Sequence, residues 1–77
     1  MASMKKSEIL KIIGQNIKKI RTEKGLTQVD LVGKIEAQID TTNISRIEKG
    51  RTNATVYTLF RISQALEVPL SDICKLN

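Results

Sequence analysis

An all-α fold of five short helices is predicted by three features of this 77-residue chain. Isoleucine, leucine and valine recur at spacings of three and four in both halves of the sequence, which is how a helix lines one face with apolar side chains. Gly25, Gly50 and Pro69 interrupt those stripes, as residues that end helices do. No segment alternates apolar and polar residues for long enough to make a strand.

The first helix is expected over residues 7–24, where Ile9, Ile13, Ile17 and Ile20 form one stripe and Lys11, Lys18 and Lys19 fall elsewhere around the cylinder. Gly25 ends it, because a glycine takes the positive φ of a helix terminus at little cost. Thr27 precedes Asp30 by three residues, a capping box that opens a second helix from Gln28 to about Glu36. Asp40 or Thr41 caps a third helix that turns Ile44 and Ile47 inward, runs to about Lys49 and stops at Gly50. A polar connector, Arg51 to Ala54, leads to Thr55, the cap of a fourth helix with Val56, Leu59, Ile62, Ala65 and Leu66 on its stripe. After Pro69 a short fifth helix passes through Leu70 and Ile73 toward Leu76, with Asp72 in its first turn.

A chain of this length buries only about 60% of its unfolded surface, so a single economical core is expected. One domain over residues 7–77 is assigned, with 1–6 as a flexible N-terminal segment or expression remnant. The absence of histidine and the single cysteine, Cys74, leave no Cys/His zinc cluster and no internal disulfide, so neither metal nor cofactor is expected. No apolar run approaches the roughly 18 residues of a membrane span, which predicts a cytoplasmic protein without a membrane partner.

The net charge is +5, and residues 1–24 carry all of the excess, with seven basic groups against two acidic ones. A basic balance attracts phosphate, although on charge alone a solvated lysine-rich face is the commoner outcome. Tyr57 and Phe60 are the only aromatics, which disfavours modules that stack single-stranded bases. An enzyme is not expected: there is no His-assisted nucleophile, P-loop, dinucleotide-binding turn or metal-spaced carboxylate cluster.

The string from Ile17 through Arg21 to Leu26, then Thr27-Gln28-Val29-Asp30-Leu31, then Asn43-Ile44-Ser45-Arg46-Ile47-Glu48-Lys49-Gly50, resembles the helix-turn-helix family of lambdoid repressors and Cro-like (XRE-like) regulators. The likeness covers roughly Ile13 to Cys74. It implies a regulator of transcription that binds double-stranded DNA, with helices two and three forming the helix-turn-helix and helix three entering the major groove. It also implies a homodimer on a two-fold symmetric operator, with Leu70, Ile73, Cys74 and Leu76 as dimer-interface candidates.

By the same resemblance Thr41, Thr42, Asn43 and Arg46 read base edges, Asn43 pairing with adenine and Arg46 with guanine. For Thr41 and Asn43 a capping role competes with base reading, and for Arg46 a solvated charge does. Ser45 is expected to face the backbone or the neighbouring helix. Gln28 matches the family's phosphate-binding glutamine, while Arg51, Thr52 and Asn53, with Lys49 as a weaker member, match its second phosphate clamp. Arg21 and Glu48 match its internal ion pair. The main alternative is a protein-interaction module, an antitoxin or adaptor, that uses helix faces for a protein partner.

The chain departs from the family at the turn. Between Thr27 and Ile44 it is roughly two residues longer than the common spacing, with the extra length around Ile35 to Ile39. Val32 and Gln38 stand where the family often has alanine and glycine. Two outcomes are open, an added turn on helix two or a recognition helix moved outward.

Overall fold

The computed structural model describes residues 3–77, which form α1 (Lys6–Glu23), α2 (Gln28–Lys34), α3 (Thr41–Glu48), α4 (Val56–Leu66) and α5 (Leu70–Ile73). No strand occurs among the described residues. The first two positions of the segment expected to be flexible lie outside the described residues, and its last, Lys6, is already helical.

The glycines end their helices as their chemistry requires. Gly25 sits at φ 71°, and the N–H groups of Gly25 and Leu26 donate to the carbonyls of Thr22 (3.0 Å) and Arg21 (3.1 Å). These bonds satisfy carbonyls that the last turn would otherwise leave open. Gly50, also at φ 71°, closes α3 in the same way through Ile47 (3.0 Å) and, from the N–H of Arg51, Arg46 (2.9 Å). At the end of α4 the left-handed position is taken by Glu67, φ 58°, a conformation that costs an L-residue about 1 kcal/mol.

The capping box of α2 is complete. Thr27 Oγ1 accepts from the Asp30 N–H at 3.0 Å, and Asp30 Oδ2 accepts from the Thr27 N–H at 2.9 Å. That backbone donor, with the Thr27 side chain second, holds the Asp30 carboxyl below the usual carboxylate range. At α3 the cap is Asp40 rather than Thr41, its Oδ1 accepting from the Asn43 N–H at 2.8 Å.

Two helix lengths differ from expectation. α2 ends at Lys34 instead of Glu36 because Ile35 turns to extended backbone and buries its side chain in the core. The added residues therefore lengthen the α2–α3 connector and add no turn to α2. Ala37 and Ile39 also pack on the core, so the connector is held at alternate residues. α5 stops at Ile73, where Asn16 Nδ2 donates to the carbonyls of Ile73 (2.8 Å) and Lys75 (2.7 Å) and leads the chain end along α1.

Ile17, Leu31, Ile44, Ile62, Leu66 and Ile73 are fully enclosed, so every helix contributes to one core. Two assignments are corrected. Val56 is 71% exposed, since as the first residue of α4 it lies beyond the core that Leu59, Ile62 and Leu66 reach. Ile73 is 0% exposed and cannot meet a second subunit. Of its fellow interface candidates, Leu70 packs half-buried on the core, whereas Cys74 and Leu76 are exposed.

Candidate nucleic-acid interface

α3 has eight residues, too few to be stable alone in water, and α1 supplies its platform. Gly14 lies against the C-terminal turn of α3, where an added Cβ would collide with the carbonyl oxygen of Ile47 and stand 2.5 Å from that of Glu48. Only a residue without a side chain allows this approach. Gly14 shares the buried face of α1 with Ile17 and Arg21, and a glycine inside a helix three residues before Ile17 was the signal in the sequence, which apolar periodicity alone does not register.

The expected ion pair is present and buried. Arg21 Nε and Nη2 donate to Glu48 Oε2 (2.7 Å) and Oε1 (3.0 Å), and Arg21 Nη1 donates to the Leu26 carbonyl at 2.8 Å. Hydrogen bonding to Glu48, aided by its charge, raises the Arg21 guanidinium above its ordinary value against the opposing effect of burial. Gln28 completes the cluster, its Nε2 donating to Glu48 Oε1 at 3.1 Å. One carboxylate at the end of α3 thus ties down both the end of α1 and the start of α2. The role of Gln28 in orienting this cluster has no periodic signature and was not foreseen.

Around this anchor α3 presents an outer ridge. At about 100° per residue, Thr42 and Arg46 lie opposite the buried Ile44, Ile47 and Glu48, and both are exposed. Beside the ridge runs a groove of about 390 Å³ lined by Gln28, Thr41, Thr42, Ser45, Arg46, Lys49 and Arg51. Six of these seven are site residues expected from the sequence. The seventh, Ser45, expected to face the backbone or the neighbouring helix, lines the groove half-buried, on the flank that also carries Gln28 of α2. The lining holds three cations and no carboxylate, a surface that attracts phosphate.

Asn43, Thr52 and Asn53 do not join that groove. They line a separate depression on the opposite flank of α3, reached through the connectors that precede and follow it. Since Asp40 caps the helix, the side chains of Thr41 and Asn43 are not consumed by capping. Among the described residues no group of His, Cys, Asp and Glu has a metal-binding arrangement, and no helix is long and apolar enough to cross a membrane.

An all-helical domain whose third helix borders an exposed cationic groove has the arrangement of a DNA-binding helix-turn-helix module. The chain belongs to the HTH_3 helix-turn-helix family, whose model matches residues 17–73. It is 38% identical over 61 residues to an HTH-type transcriptional regulator of Sinorhizobium fredii, y4dJ, covering 79% of this chain and 77% of that one. Among solved structures it resembles the restriction-modification controller protein C.Esp1396I, with TM-score 0.71, 44% identity and coverage of 79% of this chain and 77% of that one. An HTH_3 family regulator from Vibrio cholerae shares the fold at TM-score 0.81 and 22% identity over 90% of this chain, which spans only 38% of that protein. The chain is a DNA-binding transcriptional regulator of this family.

Proposed function

We propose that the protein binds a two-fold symmetric operator as a homodimer in the cytoplasm, with one α3 in each of two major-groove segments about one helical turn apart. The observation that carries this reading is the groove along α3, where Arg46, Lys49 and Arg51 converge with hydroxyl groups and no acid. Arg46, with its planar fork, pairs with guanine, and Thr42 beside it meets the neighbouring base edge. Thr41 and Asn43 read from the two flanks of the ridge. Gln28, Lys49 and Arg51 hold phosphates of one strand, and Thr52 and Asn53 hold the other. Gln28 is already oriented by Glu48, so less side-chain freedom is lost on binding.

Half-buried Leu70 with exposed Cys74 and Leu76 are the dimer contacts of this reading, and Val56, Tyr57 and Phe60 on α4 are further large apolar side chains exposed to solvent. The likeness to C.Esp1396I supports a role as a controller of restriction-modification genes. No catalytic step is part of this role.

Selection from a random duplex library near physiological salt, followed by titration against scrambled duplex, tests the proposal. A palindromic site bound at least about a thousandfold more tightly than scrambled DNA is the expected result. Enrichment of no sequence would refute base reading. Sedimentation of the protein with and without that duplex reports the dimer.

A further inference from the structure

The lengthened α2–α3 connector brings Gln38 beside Asn43, Thr52 and Asn53. With Ile39 and Ala54 these side chains border a depression of about 240 Å³, apolar at its floor and rimmed by amide and hydroxyl groups. No charged residue lines it. Gln38, Asn43 and Asn53 are exposed.

We infer that Gln38, which the longer connector adds to this depression, is a further DNA contact, on the second sugar–phosphate strand to which Thr52 and Asn53 are already assigned. The inference rests on the DNA-binding reading above. A major groove about 12 Å wide is walled by two backbones, and a helix lying in it with Thr42 and Arg46 outermost turns one flank to each wall. The flank beside Gln28 is the cationic groove; the flank beside Gln38 is neutral. A deoxyribose ring presents an apolar face, which the floor formed by Ile39 and Ala54 suits. Phosphate oxygens accept hydrogen bonds, which amide N–H and threonine hydroxyl groups donate without adding charge. The duplex is therefore held asymmetrically, by ionic contacts along one strand and neutral contacts along the other.

Counterion release separates the two kinds of contact, because only a cation that neutralises a phosphate contributes to the salt slope. The test measures affinity across a salt series for the full chain on the duplex enriched by selection, or on random duplex if none is enriched. The parent is compared with Gln38→Ala/Asn53→Ala and with Arg51→Ala, each first checked by a circular dichroism melt. The double variant is expected to lose about tenfold or more in affinity at every salt concentration with its slope unchanged. Arg51→Ala is expected to flatten the slope by about 0.9 per bound subunit, about 1.8 for the homodimer. Gln38→Glu, which keeps the shape and sets a carboxylate against phosphate, weakens binding further and guards against a folding defect in the double variant.

A Gln38→Glu variant that binds as tightly as the parent overturns Gln38 as a contact, whatever the double variant does. So does a slope change of about one unit per bound subunit in the double variant, which would mean that the depression acts through charge. A parent that binds no duplex at all refutes the DNA reading itself, a result distinct from both.

Discussion

Replacing Glu48 by alanine should remove a large part of the stability of the fold. The Glu48 carboxylate accepts three hydrogen bonds, two from Arg21 and one from Gln28. Without it Arg21, only 8% exposed, keeps a single partner, the Leu26 carbonyl. An uncompensated buried charge of this kind costs about 3–5 kcal/mol. A chain of this size has roughly 4–12 kcal/mol in all, so the loss lies between about a quarter and the whole. Urea titration followed by circular dichroism measures it, with the extrapolated free energy compared at equal m-value. A second variant separates charge from packing: Arg21→Met/Glu48→Leu removes both charges and fills much of the same space, and should recover most of the loss. Glu48→Ala within about 1 kcal/mol of the parent would place the pair among solvent-screened surface pairs and refute the reasoning. A double variant as unstable as Glu48→Ala would refute the attribution to the stranded guanidinium.

Three other perturbations have defined outcomes. Gly14→Ala forces a Cβ into the carbonyls of α3 and should destabilise by about 1–3 kcal/mol or more, whereas Gly33→Ala, with open space around its new Cβ, should stabilise by about 0.5–1 kcal/mol; opposite shifts in melting temperature check both. Arg46→Lys keeps the charge but not the fork, so repeated library selection should show relaxed preference at one base pair, worth about 1–3 kcal/mol, with the salt slope unchanged. The Asp30 carboxyl titrates lower in the folded chain than in the unfolded one, so its stabilising effect is complete above the ordinary aspartate value and fades as pH falls through the lowered one. The difference in melting temperature between the parent and Asp30→Asn should therefore shrink on acidification from about pH 6 to about pH 2.

Much of this fold was legible because helix ends are written in local chemistry. Thr27, Asp40 and Thr55 accept backbone N–H groups as caps, and Gly25 and Gly50 adopt the positive φ that their positions after a stripe predicted. Of the residues lining the cationic groove, Thr41, Thr42 and Arg46 were legible as the start and outer face of a regular α3, whereas Gln28, Lys49 and Arg51 were given by the family resemblance. Contacts between elements were not. Asn16, placed in the middle of α1, gives no sign in the sequence that its amide will hold the carbonyls of Ile73 and Lys75. Val56 shows the limit of periodicity, since a residue at the first turn can fit a stripe and still project beyond the core it indicates. The turn was ambiguous for a similar reason: Ile35 fits an extended α2 by spacing, but burying it leads the chain away from the helix axis.

The longer connector has a functional consequence that follows from how it is anchored. Ile35, Ala37 and Ile39 face the core, so the residues between them, Glu36 and Gln38, are turned outward at alternate positions. Glu36, itself exposed, lies 3.5 Å from half-buried Arg61 of α4, a solvent-screened pair that contributes little stability by itself but lies on the α4 side of the connector. Gln38 falls on the α3 side, beside Asn43 and Asn53. A connector without internal hydrophobic anchors would be free to swing, and ordering it on DNA would cost backbone entropy of about 1–2 kcal/mol per residue. Here the folded core has already met that cost. The extra length thus adds a positioned polar side chain to one flank of α3, while α1, through Gly14 and Arg21, holds the helix itself in place.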